Sequence, residues 1–313
     1  MTLQDFGTIA AAPRRRRRLP SWVHGKAPSV GGRWVRLGRR KYYAARRDTR
    51  PTLPAGMYTL ERDHDGDILF ERRDLEADAL VRFPGSAAAH LLREIESFWS
   101  LAPAFAEHGF LHRRGYLLYG AHGSGKSSIV RQAIRDVIGR DGVVILCGTP
   151  AVVTRGLVVL RRIEPRRPVA CVFEDIDAIV AEHGEDQLLS LLDGENEVDH
   201  VLNLATTNYP EQLDRRFVAR PRRFDRIVRI DAADERTRRS YLAAKLAGAD
   251  AAELERWVRL TEGLSLAALA EAVISVRCLG KGLEETIELL RRMSAGRASS
   301  REFAGSAGFA AGR

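Results

Sequence analysis

The sequence predicts an α/β fold built on a parallel sheet, followed by a small helical unit. Three observations carry this reading. Apolar runs of strand length recur through the middle of the chain, each followed by a helical pattern. One strand-to-helix junction is a glycine-rich turn ending in Lys-Ser. From Asp234 onward the pattern is helical throughout.

The chain has 313 residues, 45% of them hydrophobic, enough to bury a substantial core. Of its 50 Lys and Arg, 14 fall within residues 1–50, against two of its 41 Asp and Glu. That segment carries +12 while the whole chain carries +9, so the remainder is slightly acidic. Arg14 to Arg18 form a block of like charge, and Pro20, Pro28, Gly31, Gly32 and Gly38 interrupt any periodic element. Residues 1–50 therefore read as a disordered basic tail. Two readings of it stay open: a solvated tail, or a nucleic-acid contact in which Trp22, Trp34, Tyr42 and Tyr43 stack among phosphate-binding arginines.

Residues 51–86 read as a small β lead-in, with Met57-Tyr58-Thr59-Leu60 and Asp67 to Glu71 flanking a His64-Asp65-Gly66 turn. Residues 87–231 read as the α/β domain. Ala87 to Phe105 has a helical apolar face, and strands are expected at 116–119, 143–147, 169–173, 201–206 and 226–230. These strands are almost continuously apolar, as parallel strands buried on both faces are. Helices are expected at 151–163 and 185–192. Residues 232–293 read as four helices and residues 294–313 as a disordered Gly/Ala/Ser-rich tail. No run is long enough to span a bilayer. Cys147, Cys171 and Cys278 stand far apart with no Cys-x-x-Cys pair, which suits buried thiols in a reducing cytoplasm.

Four segments carry chemistry. Gly120-Ala121-His122-Gly123-Ser124-Gly125-Lys126-Ser127, continued by Ser128, follows the apolar run 116–119 and precedes a helical pattern. Backbone N–H groups of such a loop wrap a polyphosphate at a helix N-terminus. Lys126 is expected to reach the β- and γ-phosphates and Ser127 to hold Mg2+. His122 is expected to face solvent. Glu174 and Asp175 end the strand at 169–173, where carboxylates face the ligand crevice. One of the pair is expected on the metal side and the other beside an attacking water. Asn208 ends the next strand, where its amide can bond the γ-phosphate or that water. Residues 213–226 hold six arginines, Arg215, Arg216, Arg220, Arg222, Arg223 and Arg226, some of which could serve a neighbouring protomer's site.

The order of phosphate loop, Glu-Asp-Ile-Asp-Ala, Ala-Thr-Thr-Asn and Arg-Pro-Arg-Arg-Phe-Asp-Arg resembles an AAA+ ATPase over residues from about 90 to 290. The wording of the acidic motif is similar to the branch that includes the mitochondrial translocase ATPase of the Rieske iron–sulfur protein and its bacterial and phage relatives. The resemblance implies an AAA+ large domain with a helical lid, ATP and Mg2+ as ligands, and a ring-shaped homo-oligomer. Glu174 and Asp175 then take the two acidic roles in reverse of the commoner Asp-Glu order. Asn208 becomes the first sensor, Arg223 and Arg226 match the arginine fingers, and Arg220 matches the Arg-Pro-Gly-Arg stretch. Ala121-His122 replaces the usual Pro-Pro, and no aromatic–apolar–Gly pore loop lies within 148–163. No Arg occupies the lid position near Ala267. The implied activity is ATP hydrolysis that remodels a macromolecule; the alternatives are a nucleic-acid-associated ATPase and a nucleotide-dependent scaffold with little turnover.

Overall fold

The computed structural model describes residues 34–37, 40–44, 49–64, 66–75, 87–193, 198–218 and 223–295. Its centre is a sheet whose strands alternate their side chains between two apolar layers. In β7 (Val143–Leu146), Val143 and Ile145 face one layer and Val144 the other. In β8 (Val169–Phe173), Val169, Cys171 and Phe173 share the first layer, Ala170 and Val172 the second. The same alternation runs through β6 (Arg113–Tyr119) and β9 (Val201–Thr207).

Helices cover both faces, as the continuous apolar strands require. One face takes α1 (Ala87–Phe98) through Leu91, Ile95 and Phe98, and α3 (Lys126–Gly139) through Ile129, Ala133 and Val137. The other takes α4 (Pro150–Ile163), α5 (Ile176–His183), α6 (Glu185–Asp193) and the short α7 (Arg215–Val218). Trp99–Leu101 forms a single tight turn between α1 and α2 (Ala102–Glu107), where the sequence suggested one unbroken helix. Pro103 lies in the first turn of α2, where its missing N–H costs nothing.

Among the described residues the sheet has ten strands in the order β10-β6-β9-β8-β7-β4-β5-β2-β1-β3, with β10 at Arg226–Arg229. From β10 to β4 (Gly56–Arg62) every pairing is parallel. Beyond it, β5 (Ile68–Arg73), β2 (Lys41–Ala44), β1 (Trp34–Leu37) and β3 (Thr49–Arg50) add antiparallel strands. The hairpin expected within 51–86 is present, but it is continuous with the main sheet, since β4 pairs Gly56–Thr59 with Val143–Leu146. Part of the expected tail is also folded, because β1 and β2 lie inside it.

The reason is a buried polar anchor. Glu164, at the end of α4, accepts from Trp34 Nε1 and from the Leu53 backbone N–H, each at 2.8 Å, and ion-pairs with buried Arg167. The Trp34 ring packs edge-on against Phe70 at 4.8 Å. A Trp and a carboxylate that satisfy each other leave no buried polar group unpaired. Residues 1–33, the Leu80-Val81-Arg82-Phe83 run, Arg220, Arg222 and the 296–313 segment lie outside the described residues.

The last unit packs around its own core of Leu242, Leu246, Trp257, Leu264, Leu269 and Ile287. Its helices are α8 (Glu235–Lys245), α9 (Ala251–Leu260), α10 (Leu266–Val273) and α11 (Leu283–Ala295). Asp234, Asp250 and Ser265 cap the first three, each accepting an N–H three residues on. α10 runs directly into a π turn at Ile274–Cys278. Cys147 and Cys171 are buried as expected, whereas Cys278 on that turn is exposed. No described helix is long and apolar enough to cross a membrane.

Candidate functional site

The site forms where β6, β8 and β9 reach their C-terminal ends. After Tyr119 the chain turns through Gly120–Gly125 and enters α3 at Lys126. Gly125 stands at φ 105°, a left-handed conformation that only glycine adopts without strain, and this lets the loop close onto the helix N-terminus. The buried Ser124 hydroxyl finds no hydrogen-bond partner within the protein.

Lys126 is 7% exposed, and its ammonium donates to the carbonyls of Gly120 at 2.7 Å and Ala121 at 3.0 Å. It also donates to Asn208 Oδ1 at 2.7 Å. Burial pushes the ammonium below its ordinary value, while the Asp175 carboxylate acts in the opposite direction. Asn208 turns its Nδ2 to Asp175 Oδ1 at 3.2 Å. Three of the four segments singled out in the sequence thus meet in one hydrogen-bonded string, Lys126–Asn208–Asp175.

β8 is buried along its whole length, and Glu174 and Asp175 are exposed where it emerges at the crevice. Asp175 sits at φ 48° and ψ 60°, unusual for a non-glycine residue, and its N–H donates to Thr206 Oγ1 at 3.1 Å. Such strain concentrates where a carboxylate must be aimed. Ser127 is exposed and Ser128 half-buried at the start of α3.

These groups line a cleft of about 370 Å3, roofed by the helical unit. Tyr241 and Lys245, one turn apart on α8, and Leu266 and Ala267 on α10 form the roof. The roof sits close to the loop: a Cβ at Gly123 would stand 2.8 Å from Ser265 Oγ. Arg131 on α3 also lines the cleft. Sequence reasoning missed Arg131, Tyr241 and Lys245. The i, i+4 spacing of Tyr241 and Lys245 marks a shared helix face, but nothing local says where that face points. Ala267, at the position without an Arg, lines the cleft together with Lys245 of α8.

His122 is exposed as expected, with Nε2 3.3 Å from the Tyr209 hydroxyl. The arginines are elsewhere. Arg223 is buried, 4% exposed, and donates to the Arg216 carbonyl. Its loop is fixed to β6: Asp225 N–H donates to Gly115 O, and Gly115 N–H donates to Asp225 Oδ2, both at 2.8 Å. Arg226 is exposed, pairs with Glu94 at 3.4 Å, and lies opposite Tyr116, three residues before the crevice end of β6. Neither arginine lines the cleft.

The donor set fits a nucleoside triphosphate with a hard cation. A glycine turn and an ammonium at a helix N-terminus suit phosphate oxygens. Ser127 and the acidic pair suit Mg2+, which keeps several waters and needs few protein ligands. No cluster of three or more His, Cys, Asp or Glu at metal-binding spacing occurs among the described residues.

Comparison with known proteins agrees. Residues 116–232 match the family model "ATPase family associated with various cellular activities (AAA)". The chain is 28% identical over 209 residues to "ATP-dependent zinc metalloprotease FtsH 1" of Conexibacter woesei, covering 59% of this chain and 32% of that protein. It is 30% identical over 232 residues to "Proteasome-activating nucleotidase" of Methanocaldococcus jannaschii, covering 63% and 53%. It is 30% identical over 202 residues to "Mitochondrial inner membrane i-AAA protease supercomplex subunit YME1" of Saccharomyces cerevisiae, covering 58% and 27%. The matched part therefore spans between about a quarter and about a half of the length of these relatives. The crevice geometry and the match of residues 116–232 agree on an α/β fold of the AAA+ phosphate-loop type.

Proposed function

We propose that the chain binds ATP with Mg2+ in the cleft, hydrolyses it to ADP and phosphate, and works as a ring-shaped homo-oligomer that remodels a macromolecule. The Lys126–Asn208–Asp175 string carries this reading, because it ties a phosphate-binding cation and a water-activating acid to one amide. Gly120 to Ser128 hold the triphosphate. Ser127 and Glu174 take the metal side, and Asp175, tethered by Asn208, accepts the proton of the attacking water. Mg2+ would supply charge neutralisation on the β- and γ-phosphate oxygens.

Arginine from the next protomer completes each site in this reading. Arg226 is the better placed of the two matched residues, because its side chain is exposed while the Arg223 guanidinium is engaged internally. The finer kinship with the Rieske-protein translocase branch rests on Glu174-Asp175-Ile176-Asp177-Ala178. The link between β7 and α4 is only residues 147–149, Cys-Gly-Thr, too short and too small to carry an aromatic pore loop. That favours work on a folded or assembled substrate over threading of an unfolded chain.

Mass measurement with and without a non-hydrolysable ATP analogue, at matched protein concentration, tests the assembly. Nucleotide-dependent rings are expected. A strict monomer with full turnover contradicts the reading.

A further inference from the structure

The third acid of the motif, Asp177, is not used by the mechanism above, yet its carboxylate is held by a side-chain hydrogen bond, as that of Asp175 is. Thr206 and Thr207, which end β9, and Asn208 just after them reach the junction of β8 with the first turn of α5. Thr206 Oγ1 accepts the Asp175 N–H at 3.1 Å. Thr207 Oγ1 donates to Asp177 Oδ1 at 2.6 Å. Asn208 Nδ2 donates to Asp175 Oδ1 at 3.2 Å. The Thr207 hydroxyl oxygen also accepts the Tyr209 N–H at 2.9 Å, so one hydroxyl fixes the backbone on the far side of Asn208. Thr207 is fully buried, which removes water as a competing partner and makes the bond directional.

We propose that Asp177 is a positioning residue for ATP hydrolysis. Its carboxylate anchors the Thr207 hydroxyl, the hydroxyl orders Thr207–Tyr209, and that order sets Asn208 between Lys126 and Asp175. The inference deepens the ATPase reading and rests on it. Asp177 touches neither nucleotide nor water in this account; it acts through Asn208. Loss of the anchor leaves the phosphate loop intact, because Lys126 keeps the Gly120 and Ala121 carbonyls. Nucleotide affinity is then preserved while the reacting geometry is lost. Sub-ångström errors in the placement of a catalytic group cost rate far more than they cost binding.

The test compares Asp177→Ala with Asp177→Asn in the full chain. Asparagine keeps an oxygen that accepts the Thr207 hydroxyl, so it separates hydrogen bonding from charge. For Asp177→Ala, kcat is expected to fall about tenfold or more, with binding of a fluorescent ATP analogue changed by no more than about twofold. Asp177→Asn is expected to recover most of kcat. Thr207→Val, which removes the hydroxyl at nearly constant volume, should reproduce the alanine phenotype, and Thr207→Ser should not, which keeps the proposal testable if one variant fails to fold. Unchanged kcat in Asp177→Ala overturns the proposal, as do a parallel loss of affinity and kcat and a failure of asparagine to rescue. Those outcomes leave the ATPase reading standing if the wild-type chain binds and hydrolyses ATP. A wild-type chain that does neither overturns both.

Discussion

Lys126 is joined to Asp175 through a single side-chain amide. Asn208 accepts from the Lys126 ammonium at 2.7 Å and donates to the Asp175 carboxylate at 3.2 Å. The amide has one acceptor oxygen and one donor nitrogen, and the string uses each once. Aspartate in its place would set a second carboxylate against Asp175, and leucine would offer neither bond. Asn208→Leu is therefore expected to lower kcat by about two orders of magnitude while nucleotide affinity falls only a few-fold. Single-turnover kinetics with a separate binding titration checks this.

The two finger-motif arginines should behave differently. Arg223 is buried and supports the Arg216 carbonyl, so Arg223→Ala should lower thermal stability as well as activity. Arg226 is exposed, and its Glu94 partner is replaceable by water, so Arg226→Ala should fold normally and lose turnover. Mixing Arg226→Ala protomers with Asp175→Asn protomers should restore part of the activity, because some interfaces then combine an intact acid with an intact arginine. No recovery on mixing argues against shared sites.

The N-terminal strands depend on one buried carboxylate. Glu164 serves Trp34, Leu53 and Arg167 together. Glu164→Ala leaves the Trp34 and Leu53 N–H groups without their acceptor and Arg167 with Asp141 as its remaining acid. A loss of about 3–5 kcal/mol is expected from breaking such a pair, read as a drop in the urea midpoint. Trp34→Phe should cost less, since it removes one donor and leaves the ion pair.

His112 gives stability a pH dependence. It is 2% exposed, stacks on Phe98 with ring centroids 4.0 Å apart, and bonds the Phe98 carbonyl at 2.8 Å. Burial holds its imidazole below the ordinary 6.5, with the Phe98 bond opposing that shift. The unfolded chain then takes up the proton first on acidification. Stability is fully present above about 6.5 and falls as the pH drops from there toward the folded value. Urea melts at pH 7.5 and 5.5 should show this loss, and His112→Phe should reduce it. The same slope in both proteins would assign the dependence to other groups.

The parts of the site that were legible in the sequence are those where backbone geometry dictates residue type. Gly125 before Lys126 is needed for a left-handed turn into a helix. Glu174 and Asp175 follow a strand with no polar residue, so their place at the crevice end follows from the strand's length. Asn208 gained meaning only from its place after the next strand. The roof was not legible, because the direction of the Tyr241 and Lys245 face depends on how a separate helical core docks. Pairing of β4 with β7 joins residues far apart in the chain, and an alternating hairpin gives no local sign of it. Nor did the basic run around Arg223 show that one guanidinium is enclosed, since its partner is a backbone carbonyl.

Calorimetric titration with a non-hydrolysable ATP analogue and Mg2+ tests the central claim most directly, run on wild type, Lys126→Ala and Asp175→Asn together. Wild type and Asp175→Asn should bind with affinities within a few-fold of each other. Lys126→Ala should bind at least about a hundredfold more weakly, as expected for loss of a buried charge-assisted contact to phosphate. Equal binding by Lys126→Ala would show that the triphosphate does not sit against this loop.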